Sequence, residues 1–164
     1  MAASLSAMPG FATARLSLRP LGPGDAAAFH ALTDDPAILD MVHFLSQPFT
    51  LADAAQLLAG EGDGRDCFWG VFDGPALVGT VGTHLRGDQE IELGYWFAPA
   101  ARGQGFAAEA ATGMIETLRA AWPGRRLVAE CRPENRPSWR LLEKLGFRSD
   151  GSDGARPGRK RFTF

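Results

Sequence analysis

The sequence holds only two cysteines in 164 residues, Cys67 and Cys131, with neither a CxxC pair nor a histidine cluster beside them. That scarcity excludes a disulfide-stapled scaffold and a zinc site, and it suits a reducing compartment, so a cytoplasmic protein without metal is expected. A dominant charge of one sign is also missing: 17 basic residues against 19 acidic ones leave a net charge of −2. A nucleic-acid binder would show a clustered basic face. The basic run from Arg159 to Arg161 ends in Phe162, Thr163 and Phe164 and reads as a terminal strand with solvated alternate positions, so no nucleic-acid partner is expected. No apolar run approaches the roughly 20 residues that span a bilayer, so no membrane partner is expected either. Acidic residues are absent before Asp25, a weak likeness to a transit peptide, but Arg15 and Arg19 fall inside a strand pattern.

What is present suits one globular unit. The composition, 45% hydrophobic and 22% charged, is ordinary, and the length supports a single domain over residues 1–164, with 1–13 expected as a flexible N-terminal extension. Leu16 and Leu18 alternate with Arg15, Ser17 and Arg19 as in a strand, which Pro20 stops. Asp25 opens a short helix, Asp35 and Pro36 a second, and Thr50 with Asp53 forms a capping box for a third that Gly60 closes. Three strands joined by tight turns at DGPA and RGDQ then form an antiparallel meander from Cys67 to Phe97. The longest helix follows, with Ala107, Ala111, Met114, Ile115 and Leu118 at helical spacing. After it come a strand RRLVAEC, a helix capped by Asn135 and ended by Gly146, and a last strand RKRFTF. The pattern is mixed α/β (α+β), one sheet flanked by helices.

The stretch RGQGFAAEA, Arg102 to Ala110, carries the chemistry. Gly103 and Gly105 let the backbone turn sharply at a helix mouth, where unpaired N–H groups and the helix dipole favour an anion. Arg102 adds a charge suited to bidentate pairing, so a diphosphate is the natural guest. Gly103, Gly105 and Ala108 also satisfy the spacing of a dinucleotide fingerprint, with Glu130 as its ribose acid. That fingerprint requires a preceding strand without APAAR between and a doubly wound sheet after it, for which too little chain remains.

Arg102, Gly105 and Ala107 match the [RQ]xxGx[GA] acetyl-CoA loop of the GNAT N-acetyltransferase superfamily. Together with IELGYW before the loop and ENRPSWRLLEKLGF after it, they resemble its ribosomal-protein N-acetyltransferase branch. The resemblance implies a mostly antiparallel sheet of six to seven strands with a V-shaped groove between the fourth and fifth. It implies that backbone amides of Gly103, Gln104, Gly105, Phe106 and Ala107, supported by Arg102, hold the pyrophosphate of acetyl-CoA. It implies that the strand of Tyr95, Trp96 and Phe97 parts from that of Val128 and Ala129, where pantetheine adds as an extra strand, and that Asn135 and Ser138 touch its arm or thiol.

Acetyl transfer to an amine needs a proton acceptor, since lysine and α-ammonium groups titrate near 10.4 and 8. Glu92, in IELGYW, is the expected base, with burial raising its pKa; Glu90, on the same face, makes a solvated acidic edge the competing reading, and Glu130 ranks behind both. Where many members of the superfamily carry a tyrosine acid, this chain has Leu142. Tyr95, the one tyrosine, reads as a packed aromatic, and Ser138 or a bound water takes the role of acid. His30 reads as a boundary residue, His84 as a strand position facing solvent, and His43 as packing or an acceptor contact. The acceptor pocket is expected from residues 38–50 and a mobile glycine-rich loop over 149–157. The acceptor is an amine, with a protein N-terminal α-amino group favoured over a small molecule. A non-catalytic acyl-CoA-binding module is the alternative, and the chain is a monomer or a homodimer.

Overall fold

The structure is a computed structural model that describes residues 4–42 and 44–164; His43 lies outside the described residues. Seven strands form one sheet in the order of the chain: β1 (Phe11–Ala12), β2 (Ser17–Pro20), β3 (Asp66–Asp73), β4 (Ala76–Arg86), β5 (Glu90–Phe97), β6 (Arg126–Cys131) and β7 (Lys160–Thr163). Only β5 and β6 run parallel. The helix between them, α4 (Phe106–Ala121), supplies the crossover that a parallel pair needs. The remaining helices are α1 (Ala26–Thr33), α2 (Pro36–Leu39), α3 (Leu51–Ala59) and α5 (Arg136–Leu145).

Strand periodicity divides the core in two. Cys67, Trp69 and Val71 of β3 face one side with Phe106, Met114, Leu118 and Leu142 from α4 and α5. Phe68 and Trp96 face the other, with Phe29, Ile38 and Ala54 from α1 to α3. Each fully buried aromatic or aliphatic side chain stabilises the fold by about 1.5–3 kcal/mol, so neither layer is dispensable. The caps fall where the sequence puts them: the Asp35 side chain accepts from the Ala37 amide, Thr50 and Asp53 reciprocate, and Gly146 takes a left-handed φ of 109° after α5.

Two expectations are corrected. Residues 4–13 are not a loose extension: Leu5 is fully buried, its amide donates to Gly64 O at 2.9 Å, and β1 pairs with β2. Leu5 and Met8 were unreadable as core because no periodic element surrounds them. Nor is the 149–157 loop held only by a ligand. Arg156 ties it to the sheet, and Gly154 packs so closely that an added Cβ would lie 2.3 Å from Glu130 Oε1.

Candidate active site

The site begins where two strands separate, the expected fourth and fifth, which are β5 and β6 because the short β1 adds one strand at the start. Parallel pairing of β5 with β6 runs through Glu90↔Arg126, Ile91↔Leu127 and Glu92↔Val128 and then stops. From Leu93 to Phe97, β5 stays paired with β4 on its other side, so the edge facing β6 is open along Tyr95, Trp96 and Phe97. An open edge is a template for an extended chain. The side chains of Trp96 and Phe97 are buried in the two core layers, and the Trp96 indole donates to Thr33 Oγ1 at 3.1 Å, so these two residues offer backbone to the groove.

At one end of the opening lies the glycine loop. Gly103 and Gly105 have φ of 80° and 78°, values that L side chains rarely adopt. The first backbone bond into α4 is Glu109 N to Gly105 O, 3.1 Å. Among the described residues, no carbonyl takes the amides of Gly103, Gly105, Phe106 or Ala107, while Arg102 and Gly103 lie in a turn closed at Gln104. A Cβ added to Gly103 would meet nothing within 4 Å, so the cradle is open as well as bare. Such a nest fits the diphosphate of acetyl-CoA.

Sequence reasoning missed what braces this loop. Arg15, in the β1–β2 turn, donates from Nη1 to Gln104 O at 2.8 Å and from Nε to Glu109 Oε1 at 2.7 Å, while its guanidinium stacks on Phe106. Thr13 and the Arg15 amide add bonds to Glu109, and these partners pull its carboxyl down to about 2. A separation of 94 residues between Arg15 and Glu109 leaves no periodic trace in the sequence.

A cavity of about 590 Å³ runs from Arg102 and Ala107 through the parted strands to Glu92 and Arg156. At its middle the Tyr95 hydroxyl lies 3.1 Å from Ser138 Oγ, and the Asn135 side chain accepts from the Ser138 amide at 3.4 Å. Asn135 is therefore a cap that also lines the cavity. Burial raises the Tyr95 pKa, and the hydrogen bond with Ser138 offsets only part of that, so the phenol keeps its proton at neutral pH. Tyr95, packed against the core as expected, also lines the cavity with its hydroxyl on Ser138. Leu142 also lines the cavity, and Cys131 lies beside Asn135.

Glu92 is buried, as expected of a groove residue, but its pKa moves the other way. Burial raises it, yet Arg156 at 2.6 Å and Arg86 at 3.0 Å outweigh burial and hold the carboxyl below its ordinary value. The expectation of a raised base fails because two guanidinium groups 6 and 64 residues away converge on one carboxylate. Glu130 meets Arg156 too, at 3.5 Å. Glu90 forms the solvated edge, paired with Arg126 and Arg161. His84 does not face solvent: its Nδ1 lies 2.6 Å from Asp66 Oδ1, and the ring lines the cavity. His30 bonds Phe49 O through Nε2 at 2.8 Å, a boundary role. The expected contact of His43 falls outside the described residues. Lys160 pairs with Asp153 and Arg161 with Glu90, so much of the basic end is neutralised within the chain.

Comparison with known proteins gives this geometry its context. Residues 15–148 match the model of the acetyltransferase (GNAT) domain. The chain is 30% identical over 142 residues to an uncharacterized N-acetyltransferase, YnaD, of Bacillus subtilis (strain 168), covering 85% of this chain and 82% of that protein. In fold it is similar to the ribosomal-protein-S5-alanine acetyltransferase of Vibrio fischeri, with a TM-score of 0.79 at 19% identity over 95% of each chain. It is similar also to the spermidine N-acetyltransferase of Vibrio cholerae, solved with CoA and spermine, with a TM-score of 0.78 at 21% identity over 92% of this chain and 95% of that one. Among the described residues, no helix is long and apolar enough to cross a membrane. The chain belongs to the GNAT acetyltransferase family and is an acetyl-CoA-dependent N-acetyltransferase.

Proposed function

We propose that the chain acetylates the α-amino group of its acceptor by direct attack within a ternary complex. The observation that supports this reading is the cavity that runs from Arg102 and Ala107, at the two ends of the glycine loop, past the Tyr95–Ser138 pair to Glu92. Acetyl-CoA, when bound, supplies an acetyl group activated as a thioester.

The protein's part is positioning and proton management. The amides of Gly103, Gly105, Phe106 and Ala107 and the Arg102 side chain hold the diphosphate, and the open edge of β5 aligns the pantetheine arm. Trp96 and Phe97 contribute main chain, and Asn135 orients Ser138. Fixing both reactants in this way can supply several kcal/mol of the barrier reduction. The departing thiolate takes a proton from the Tyr95–Ser138 pair. A phenol with a raised pKa stays protonated until the thiolate forms, which suits a general acid.

The acceptor end favours an amine of modest basicity. Glu92 is ionised at neutral pH and is a weak base, so it accepts a hydrogen bond from the incoming amine and steers it, while the proton leaves to water. At pH 7 about a tenth of an α-amino group titrating near 8 is already neutral, against fewer than about one in a thousand for a lysine near 10.4. The α-amine therefore needs less help than this site lacks. Fold likeness to an alanine acetyltransferase and to a spermidine acetyltransferase is equal in strength, so the preference rests on these charges.

The test is acetylation of a panel of peptide N-termini and polyamines, followed by thiol release and by mass spectrometry of the acceptor. Intersecting initial-velocity lines and a preference for α-amines are expected. Tight binding of CoA with no acetylation of any amine would favour a non-catalytic binding module.

A further inference from the structure

The acceptor end of the cavity holds one group that transfer to a plain amine does not use. Arg159 lines the cavity just before β7, next to the Lys160↔Cys131 register pair and so close to the middle of the site. Its Nη2 donates to Met41 O at 2.7 Å. Its Nε is buried, and among the described residues it is the side-chain nitrogen or oxygen that combines burial with having no partner. What a ligand would meet is therefore the charge itself: among the described residues Arg159 forms no ion pair, whereas Arg86, Arg156 and Arg161 each hold a carboxylate.

The surrounding charges sharpen the point. Burial, then Arg156 and Arg132, weigh against the positive charge of Arg159, and Glu130 weighs in its favour. Glu130 and Glu92 are both already engaged by Arg156, and Glu92 by Arg86 as well. Asp40 also lines this end, but its side chain stands at the exposed rim and its carbonyl is what Arg132 contacts. The acids are thus already paired, while the Arg159 guanidinium lines the cavity with no ion-pair partner among the described residues.

We propose that the acceptor amine carries an anionic group, a carboxylate close to the reacting nitrogen, which pairs with Arg159. The inference rests on the proposed α-amine transfer and narrows its substrate class. Two sources share this chemistry, the α-carboxylate of a free amino acid and an acidic first side chain of a peptide. A cationic polyamine is disfavoured, because beyond the reacting nitrogen, which Glu92 steers, its further charges would meet Arg156 and Arg159.

The experiment compares charged and neutral twins. L-Alanine is set against L-alaninamide, and an Asp-Ala-Ala peptide amide against its Asn counterpart, each with acetyl-CoA and with rates expressed per neutral amine, since a free carboxylate raises the pKa of the adjacent ammonium. In one pair the charged member is expected to exceed its twin by about tenfold or more in kcat/KM, the size expected for a hydrogen bond to a charged group, and that pair names the source. Arg159→Met should bring the twins to within about twofold, Arg159→Lys should keep part of the preference, and the KM for acetyl-CoA should not move. Neutral twins used as well as charged ones, or a preference that survives Arg159→Met, would overturn the proposal.

Calorimetry on the CoA-saturated protein with N-acetyl-L-alanine and its amide, and with the N-acetylated Asp and Asn peptides, separates the two levels. Arg159-dependent binding of an anionic ligand without turnover would leave this proposal standing and sink the transfer reading. No preference for either anionic ligand would sink this proposal whether or not turnover occurs.

Discussion

The Tyr95 hydroxyl stands 3.1 Å from Ser138 Oγ, across the gap left where β5 and β6 stop pairing after Glu92↔Val128. One residue comes from a strand and the other from the first turn of α5, so the contact exists only when the strands are parted and Asn135 caps the helix. Tyr95→Phe should lower kcat by about 10²-fold with little change in the KM for acetyl-CoA, the usual contribution of a positioned proton donor. Ser138→Ala should cost less, and the double variant should fall short of the product of the two, since both act in one proton path. Steady-state kinetics decides it; full kcat in Tyr95→Phe would remove the pair from the chemistry.

Gly105 combines a φ of 78° with the Arg15 Nη2 atom 3.3 Å from where a Cβ would sit. Gly105→Val therefore meets backbone strain of about 1–2 kcal/mol and crowds the arginine that holds Gln104 O. The KM for acetyl-CoA should rise by about tenfold or more, with a smaller effect on kcat. Unchanged CoA affinity by titration calorimetry would count against the loop as the diphosphate site.

Glu92 gives a pH signature. Its folded pKa lies below the ordinary 4.5, so its stabilising contribution is complete above that value and is lost as pH falls through the lower, folded value. No limb between pH 5 and 7 in kcat/KM should belong to this carboxylate; the rate should climb toward the acceptor amine's own pKa near 8. Glu92→Gln should lower kcat and destabilise the fold by about 1–3 kcal/mol, because Arg156 and Arg86 lose a buried partner. A limb near pH 6 that vanishes in the variant would restore Glu92 as a raised general base.

Glu109, held to about 2 by Thr13 and Arg15, works the same way over a wider window. The stability difference between wild type and Glu109→Gln should be full above about pH 4.5 and shrink as pH falls toward 2. Urea unfolding at stepped pH measures it. Loss of the brace should also raise the KM for acetyl-CoA, whereas a pH-independent difference would mean that the ion pair contributes nothing.

Local signals were legible and distant ones were not. Caps at Asp35, Thr50 and Asn135, the meander turns and the glycine loop each involve residues within a few positions, so chemistry and spacing reveal them. Glu92 was visible as an acid on a groove strand, but the sign of its pKa depends on Arg156, which sits in a stretch whose glycines read as mobile. β1 spans two residues, too few for a period, and Arg15 looked like the solvated side of a strand until Glu109 came beside it. Arg159 belongs to a basic run that reads as a terminal strand with solvated alternate positions, so nothing local marks it as a cavity residue.

The most direct measurement is amide NMR of Gly103 to Ala107 during titration with coenzyme A and, separately, with pantetheine, which lacks the diphosphate. These amides should shift and gain exchange protection with coenzyme A and stay in place with pantetheine. Unmoved loop amides under saturating coenzyme A, with shifts elsewhere, would contradict the diphosphate cradle from which the rest is built.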